Sequence, residues 1–224
     1  MPAAAQGVSR CRCVGKQHSF IAHSQVLNNY AFFGNSSMAH DEDLTKRRKG
    51  KPSRDALGRL KKEHKVFQAD PPPFISLSID PNNLFNWNYL IQGPPDTPFA
   101  GGWYWGQLEV PKDYPFSPPL VKICTPNGRF HHGEWLCTRI SDYHPEGWQV
   151  SSTISGLLLS LLTLLCDTSF TPGALHPPPT YEERRALAET SLEWNKMQSG
   201  FTQAFPDLDV LIETMRSRVP VSMP

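Results

Sequence analysis

The sequence has no apolar run long enough to cross a bilayer. Its longest, Leu157 to Cys166, is interrupted by Ser160 and Thr163. It reaches about half of the ~20 residues that a spanning helix needs, and so reads as a buried core helix. Neither sign of charge is in excess, with a formal net charge of +1, which gives no global argument for a nucleic-acid or membrane partner. The five cysteines are odd in number and irregular in spacing. That excludes a regular disulfide framework and points to a reducing compartment with free thiols. Cys11-Arg-Cys13 is a lone C-x-C pair and a weak metal signal. His131, His132, Cys137 and His144 match no C-x-x-C or H-x-x-x-H spacing, so no metal site is expected. The amino terminus lacks the basic, apolar and small-residue order of a secretory signal. There are no internal repeats.

What is present divides the chain of 224 residues into one domain with extensions. Residues 1–50 mix small and polar side chains without a period and are expected to be a disordered extension. The basic run Lys46-Arg-Arg-Lys49-Gly-Lys51 reads as a solvated tail ahead of a helix, with nuclear targeting or anionic contact as the alternatives. A folded domain is expected over 51–218 and a tail over 219–224. The first helix starts at the cap Ser53 and runs to about Gln68, with Leu57, Leu60, His64 and Phe67 on one face and Arg54, Lys61, Lys62 and Lys65 on the other. Asp70-Pro-Pro-Pro73 ends it. Strand patterns follow over Phe74–Asp80, Leu84–Gln92, Gly102–Val110 and Pro119–Cys124, with short Pro/Gly connectors that suit an antiparallel meander. Tyr114-Pro-Phe-Ser-Pro-Pro119 makes a rigid crossing into the last strand. Val150–Cys166 reads as a buried helix. Thr180 caps the next, whose stripe is Leu187, Ser191, Trp194, Gln198 and Phe201. Leu208, Leu211, Ile212 and Met215 make a final amphipathic helix. The fold class is α+β.

The chemistry concentrates in Thr125-Pro-Asn-Gly-Arg-Phe-His-His-Gly-Glu-Trp-Leu-Cys137, continued to Trp148. One cysteine lies in a polar, turn-rich segment between a Pro-Asn-Gly turn and a Pro-Glu-Gly-Trp turn. A thiol so placed can meet a partner's thioester, and the Asn127 amide can donate a hydrogen bond to an oxyanion, which suits acyl transfer. Cysteine is often buried, and Cys124 and Cys166 lie in apolar patterns as structural thiols. Cys137, flanked by turns, reads as the nucleophile. No adjacent base is required, since thiol–thioester exchange is near-neutral in energy. Asn127 also suits a plain turn residue. The imidazole of His144 can accept a proton from an incoming nucleophile, or it caps the turn before Pro145.

This segment resembles the active-site stretch of ubiquitin-conjugating enzymes: Pro-Asn, a loop, a glycine, then Cys and a Trp beyond. Thr125 stands where histidine is usual, and both intervals are longer. Thr-Pro-Asn-Gly-Arg-Phe and Ser-Asp-Tyr-His-Pro resemble the J-type branch, normally anchored in the endoplasmic-reticulum membrane, and Tyr-Pro-Phe-x-Pro-Pro also matches the family. The resemblance covers about Ser53 to Met215.

The resemblance implies the ubiquitin-conjugating fold: an N-terminal helix, a four-stranded antiparallel meander and C-terminal helices. It implies that Cys137 accepts ubiquitin from the activating enzyme and passes it to Lys or Ser/Thr of protein substrates, with a RING ligase, in endoplasmic-reticulum-associated degradation. No cofactor is implied, because ATP is consumed upstream. Arg54, Lys61, Lys62 and Lys65 would meet the activating enzyme. Pro118, Ile123 and Trp148 would meet the ligase. Asn127 would steady the loop, the oxyanion or both, and the hydroxyl of Thr125 would close the same turn. The gate that the family places after the central helix corresponds to Asp167–Gly173, where Ser169 to Thr171 are neutral, leaving room for the hydroxyl acceptors that the J-type branch is known for. The expected location is cytosolic or the cytosolic face of the endoplasmic reticulum. The chain reaches Pro224 without the polar linker and membrane helix usual in that branch, which fits a shortened form, a soluble relative or a member tethered by a partner. Two other readings stay open: a non-catalytic ubiquitin-binding variant, disfavoured by Cys137, and an enzyme for another ubiquitin-like modifier.

Overall fold

Ser53 opens the first helix as its cap, its Oγ accepting a hydrogen bond from Ala56 N at 3.0 Å. Helix α1 spans Arg54–Ala69, and the Asp70 N–H closes it on Val66 O before the three prolines. The computed structural model describes residues 51–136, 147–167, 169 and 173–218. The expected extension 1–50 and tail 219–224 lie outside them. The inner face of α1 is Ala56, Leu60, Glu63 and Phe67. The expected face of Leu57, Leu60, His64 and Phe67 is therefore rotated. Leu57 and His64 are only half-buried, and a carboxylate is turned inward. The cause is a set of waiting donors: Tyr114 Oη–H donates to Glu63 Oε1 at 2.7 Å and Ile154 N–H to Oε2 at 2.8 Å. Arg59 Nε also donates to Oε1.

Strands β1 (Ile75–Ile79), β2 (Asn86–Gln92), β3 (Trp103–Glu109) and β4 (Leu120–Ile123) form one sheet in the order β1-β2-β3-β4. Every pairing is antiparallel, so the meander is as expected. Alternation sends Trp87, Tyr89, Ile91, Tyr104, Leu108, Val121 and Ile123 into the main core. Leu90, Trp103, Trp105 and Cys124 face a second cluster. Gly106 is required in β3: a Cβ there would stand 2.2 Å from Tyr89 Cζ and 2.3 Å from Lys122 O. Its absence lets the Tyr89 hydroxyl reach across and donate to Lys122 O at 3.0 Å.

Helix α2 spans Ile154–Cys166 and is capped by Thr153, whose Oγ1 accepts from Gly156 N. It starts later than the apolar pattern from Val150 suggests, because the preceding turn is held by Arg59 Nη2 donating to Ser152 O at 3.0 Å. Ile154, Leu157, Leu158, Leu161 and Leu165 are buried, whereas Leu159 is 40% exposed, so one side of this helix stays open. Helix α3 (Tyr181–Lys196) begins with a capping box between Thr180 and Glu183. Its buried stripe is Arg184, Leu187, Ala188, Ser191 and Asn195, so Trp194 and Gln198 of the expected stripe are displaced to half-buried flanks. A short α4 (Ser199–Ala204) and α5 (Leu208–Arg218) follow, and Phe201, Phe205, Ile212 and Met215 cover the second sheet face. Among the described residues no helix is long and apolar enough to cross a membrane.

Burial pushes the phenols of Tyr89, Tyr104 and Tyr114 well above the usual tyrosine range, and the Glu63 carboxylate adds to the effect on Tyr114. The folded chain thus keeps protons that the unfolded chain releases above about pH 10. Stability from these groups is intact below that pH and falls as pH rises further. Tyrosinate absorbance and loss of circular dichroism are expected to rise together in an alkaline titration. Ionisation of these tyrosines in a fully folded chain would contradict it.

Candidate active site

β4 delivers the chain into a buried turn. Cys124 N–H and Thr125 N–H both donate to Trp105 O, at 2.8 and 3.2 Å. Thr125 is fully buried, and its Oγ1 accepts from Trp105 N at 2.8 Å and donates to Asn195 Oδ1 at 2.6 Å. Asn195 Nδ2 in turn donates to Trp103 O at 2.8 Å. The Thr125 hydroxyl therefore extends the β3–β4 pairing toward α3, rather than closing the turn that follows. Asn127 does that. Its Oδ1 accepts from Arg129 N and Phe130 N, both at 2.8 Å, and its Nδ2 donates to Thr125 O at 3.0 Å. The two backbone donors fix which side of the amide is oxygen. The residue is 1% exposed, so its role within the described residues is to order the turn.

Gly128 completes that turn with φ +71°, and a Cβ would approach Arg184 Cγ to 2.9 Å and Leu187 Cδ1 to 3.2 Å. Only glycine fits both the dihedral and the space. Arg184 Nε donates to Gly128 O at 3.1 Å, so α3 clamps the turn from one side. Arg129 is 3% exposed and reaches the other way, its Nε donating to Leu164 O at 3.2 Å and its Nη2 to Ser169 O at 2.7 Å. Beyond Phe130 the chain runs back along β4: Gly133 N–H donates to Ile123 O and Leu136 N–H to Val121 O, each at 2.7 Å. Leu136 is thus brought beside the middle of β4. Cys137 is the next residue, and it and His144 lie outside the described residues.

The other described thiols are unsuited to attack at neutral pH. Burial pushes the Cys124 thiol up to about 11 and raises that of Cys166 as well. After α2, Asp167 accepts from Ser169 N at 2.8 Å through Oδ1 and from the Ser169 hydroxyl through Oδ2. The acidic residue of the gate segment is therefore coupled to its serine, while Thr171 lies outside the described residues.

Arg54, Lys61, Lys62 and Lys65 are all exposed, on the side of α1 opposite its buried face. The expected ligase contacts need correction. Ile123 is 0% exposed because it lies on the core side of β4, and Pro118 is buried inside the crossing into that strand. Neither offers a surface. Trp148 is half-buried, its Nε1 donating to Pro115 O at 2.8 Å and its ring tilted 6.1 Å from that of Tyr114. Beside it Phe116 is 69% exposed, a large apolar side chain that the motif reading passed over. Glu63, Arg129, Arg184 and Asn195 were also missed. For Glu63, Arg184 and Asn195 the available signal was a polar residue on an apolar stripe, whereas Arg129 lies in the turn and carried no such signal.

A family model described as Ubiquitin-conjugating enzyme matches residues 59–177, which include the turn, Cys137 and the gate segment. The chain belongs to the ubiquitin-conjugating enzyme family. It is 40% identical over 157 residues to "Ubiquitin-conjugating enzyme E2 6" of Debaryomyces hansenii, covering 70% of this chain and 64% of that protein. It is 40% identical to "Ubiquitin-conjugating enzyme E2 J2-like" of Dictyostelium discoideum, covering 70% of this chain and 91% of that one. It is 35% identical to "Ubiquitin-conjugating enzyme E2 J2" of Bos taurus, covering 68% and 58%. These relatives place it in the J-type branch. The match spans less than two thirds of the length of the Debaryomyces and Bos proteins. The structure has the architecture expected of the family, with one helix ahead of the meander and the remaining helices after it.

Asn127→Ala leaves the buried N–H groups of Arg129 and Phe130 without their acceptor. The expected loss is about 2–4 kcal/mol of stability, from unsatisfied buried donors at roughly 1–3 kcal/mol each, partly relieved by relaxation. Chemical denaturation measures the loss, and hydrogen exchange should show those two amides deprotected first. Wild-type stability and protection in Asn127→Ala would contradict the turn-ordering role.

Proposed function

We propose that this chain is a ubiquitin-conjugating enzyme that carries ubiquitin as a Cys137 thioester. It takes ubiquitin from the activating enzyme and passes it to lysine or to serine and threonine hydroxyls of protein substrates. The observation that carries this reading is the buried Asn127 turn, inside the family match, from which the chain returns along β4 directly to Cys137. Asn127 is proposed to support the oxyanion through the order of this turn, and His144 to accept the acceptor's proton. The segment after α2, Asp167 to Ser169, is proposed to flank the acceptor's approach.

The cationic side of α1 is proposed as the activating-enzyme surface, since it leaves four basic side chains in solvent opposite a firmly packed face. A RING ligase is proposed to dock at Phe116, Trp148 and Val150, which present apolar area beside a crossing that Trp148 ties to Pro115. Action in endoplasmic-reticulum-associated degradation, at the cytosolic face of that membrane, is proposed from the J-type relatives. Other ubiquitin-like modifiers are outcomes of the same charging test.

A reductant-sensitive ubiquitin adduct is expected on Cys137 with activating enzyme and ATP. Cys137→Ser should give a reductant-resistant oxyester or no adduct, while Cys124→Ser should still charge if it folds. Ordinary reducible charging of Cys137→Ser, or charging with a different modifier alone, rejects the reading.

Exposed charge patches act mainly on association rate and are screened by salt. Reversing Lys61 and Lys62 to Glu is therefore expected to slow charging by roughly tenfold or more at low ionic strength, less at high salt. Discharge of preloaded enzyme should be nearly unchanged. Equal loss in both steps would show that α1 does not act through the activating enzyme.

A further inference from the structure

The outer face of the sheet is split in two. Its apolar half, with Leu90, Trp103 and Trp105, lies under α4 and α5. The other half is polar and open. Strand register sets its side chains in rows that cross the strands. Ser78 pairs with Asn88, Asn88 with Gln107 and Gln107 with Lys122, and Lys122 bridges to Trp135. In a second row Asn86 pairs with Glu109, and Asp80 N–H donates to Asn86 O at 3.0 Å. These rows floor a groove of about 550 Å³, bounded by the Asp80–Asn82 turn and by Trp135, Gly200 and Gln203. That is the volume of a small-ligand site.

The polar groups of the groove are held in place before any ligand arrives. Trp105 Nε1 donates to Asn88 Oδ1 at 3.1 Å, and Gln107 Nε2 donates to the same oxygen at 3.4 Å. The indole donor fixes the sense of the Asn88 amide. Asn88 Nδ2 is therefore the donor of the row and Gln107 Oε1 its acceptor. Trp105 is itself anchored, edge-on to Phe201 at 5.8 Å. Asp80 Oδ1 accepts from Asn82 N at 2.8 Å, which orients the carboxylate. Lys122 Nζ lies 4.8 Å from the centre of the Trp135 ring and steadies it. Order of this kind lowers the cost of binding.

The lining also selects among ligands. Asp80 and Glu109 disfavour phosphates and other anions. A floor of amides and a hydroxyl gives an amphipathic helix nowhere to seat its apolar face. The rows repeat across the strands at about 4.8 Å, whereas alternate side chains of an extended peptide repeat at about 6.6–6.8 Å and fall out of step. A pyranose ring is about as long as one strand spacing. Its hydroxyls both donate and accept, which suits the mixed row of Ser78, Asn88 and Gln107. Its C–H face suits an indole ring.

We propose that this groove binds a short neutral oligosaccharide, whose hydroxyls bond Ser78, Asn88, Gln107 and the Asp80 carboxylate and one of whose rings stacks on Trp135. No bond is made or broken, and the site does not depend on the thioester reading.

The test is saturation-transfer NMR and calorimetry of the full chain with cellotetraose, maltotetraose and mannotetraose. At least one should bind with a dissociation constant of about 1 mM or tighter. Gln107→Ala should weaken it by about fivefold or more, as one hydrogen bond is lost. Ser78→Arg, which fills the groove from the half-buried edge of the sheet, should abolish it. Circular dichroism checks that both variants fold. A glycoprotein with a neutral N-glycan, set against the same protein after glycan removal, separates the two sources of such a ligand. Binding of the glycosylated form more tightly than the free sugars assigns the groove to protein-borne glycans, and equal binding assigns it to free sugar. No transfer to any of the three sugars with no capture of the glycoprotein overturns the proposal. So does binding that survives both substitutions, or binding of a neutral peptide of similar length in place of sugar.

Discussion

Helix α2 has no charged residue of its own, and the structure depends on what is brought to its two ends. At its N-terminus the Glu63 carboxylate of α1 accepts the Ile154 N–H. At its C-terminus the Arg129 guanidinium of the active-site turn donates to Leu164 O. An anion meets the positive end of the helix and a cation the negative end, the arrangement that the helix dipole favours. The terminal turns of a helix otherwise hold unsatisfied backbone groups, and in a buried helix those need partners from elsewhere in the chain. Here the partners come from segments about 90 residues before the start of α2 and about 35 before its end. The docked position of the helix is therefore tied to both α1 and the Asn127 turn.

Glu63 extends this constraint outward. The carboxylate that caps α2 also accepts from the Tyr114 hydroxyl, and the Tyr114 ring lies against Trp148. Trp148 Nε1 in turn holds Pro115 O, next to exposed Phe116. One buried carboxylate therefore links the cationic helix, the proposed ligase surface and the start of the central helix. Arg59 adds a second tie, since it bonds Glu63 and Ser152 together. Apolar packing alone would tolerate small rotations of α1 against the sheet. Directional bonds from α1 to the Tyr114 crossing and to the Ser152–Ile154 turn do not.

The large features were legible in the sequence because they follow from rules with a fixed period or a fixed stop. Ser53, Thr180 and the proline runs placed helix ends, and the strand pattern over Gly102–Val110 placed β3. The Asn127 turn was legible because Pro-Asn-Gly favours such geometry whatever surrounds it. What escaped were polar residues turned inward. Glu63, Arg184 and Asn195 sit on helix faces where a hydropathy reading places only apolar side chains, and each is there for a partner far along the chain: Tyr114, Gly128 or Trp103. Local pattern holds no information about such partners. The same blindness put Pro118 and Ile123 on a surface, since motif position says nothing about which side of a strand faces the core.

The positions of these missed residues also explain how the active-site segment is ordered. An extended loop would ordinarily cost order, because each added residue brings backbone entropy that contacts must offset. Here the segment from Thr125 to Leu136 is anchored at short intervals: Thr125 to Asn195, Gly128 to Arg184, Arg129 to Leu164 and Ser169, Gly133 and Leu136 to β4. The segment becomes a further antiparallel run along β4 and a turn with buried side-chain bonds. It is not left as a free loop. Three of those anchors are charged or amide side chains from α3 and from the turn itself. The turn before Cys137 and the inward-facing polar residues are therefore parts of one arrangement.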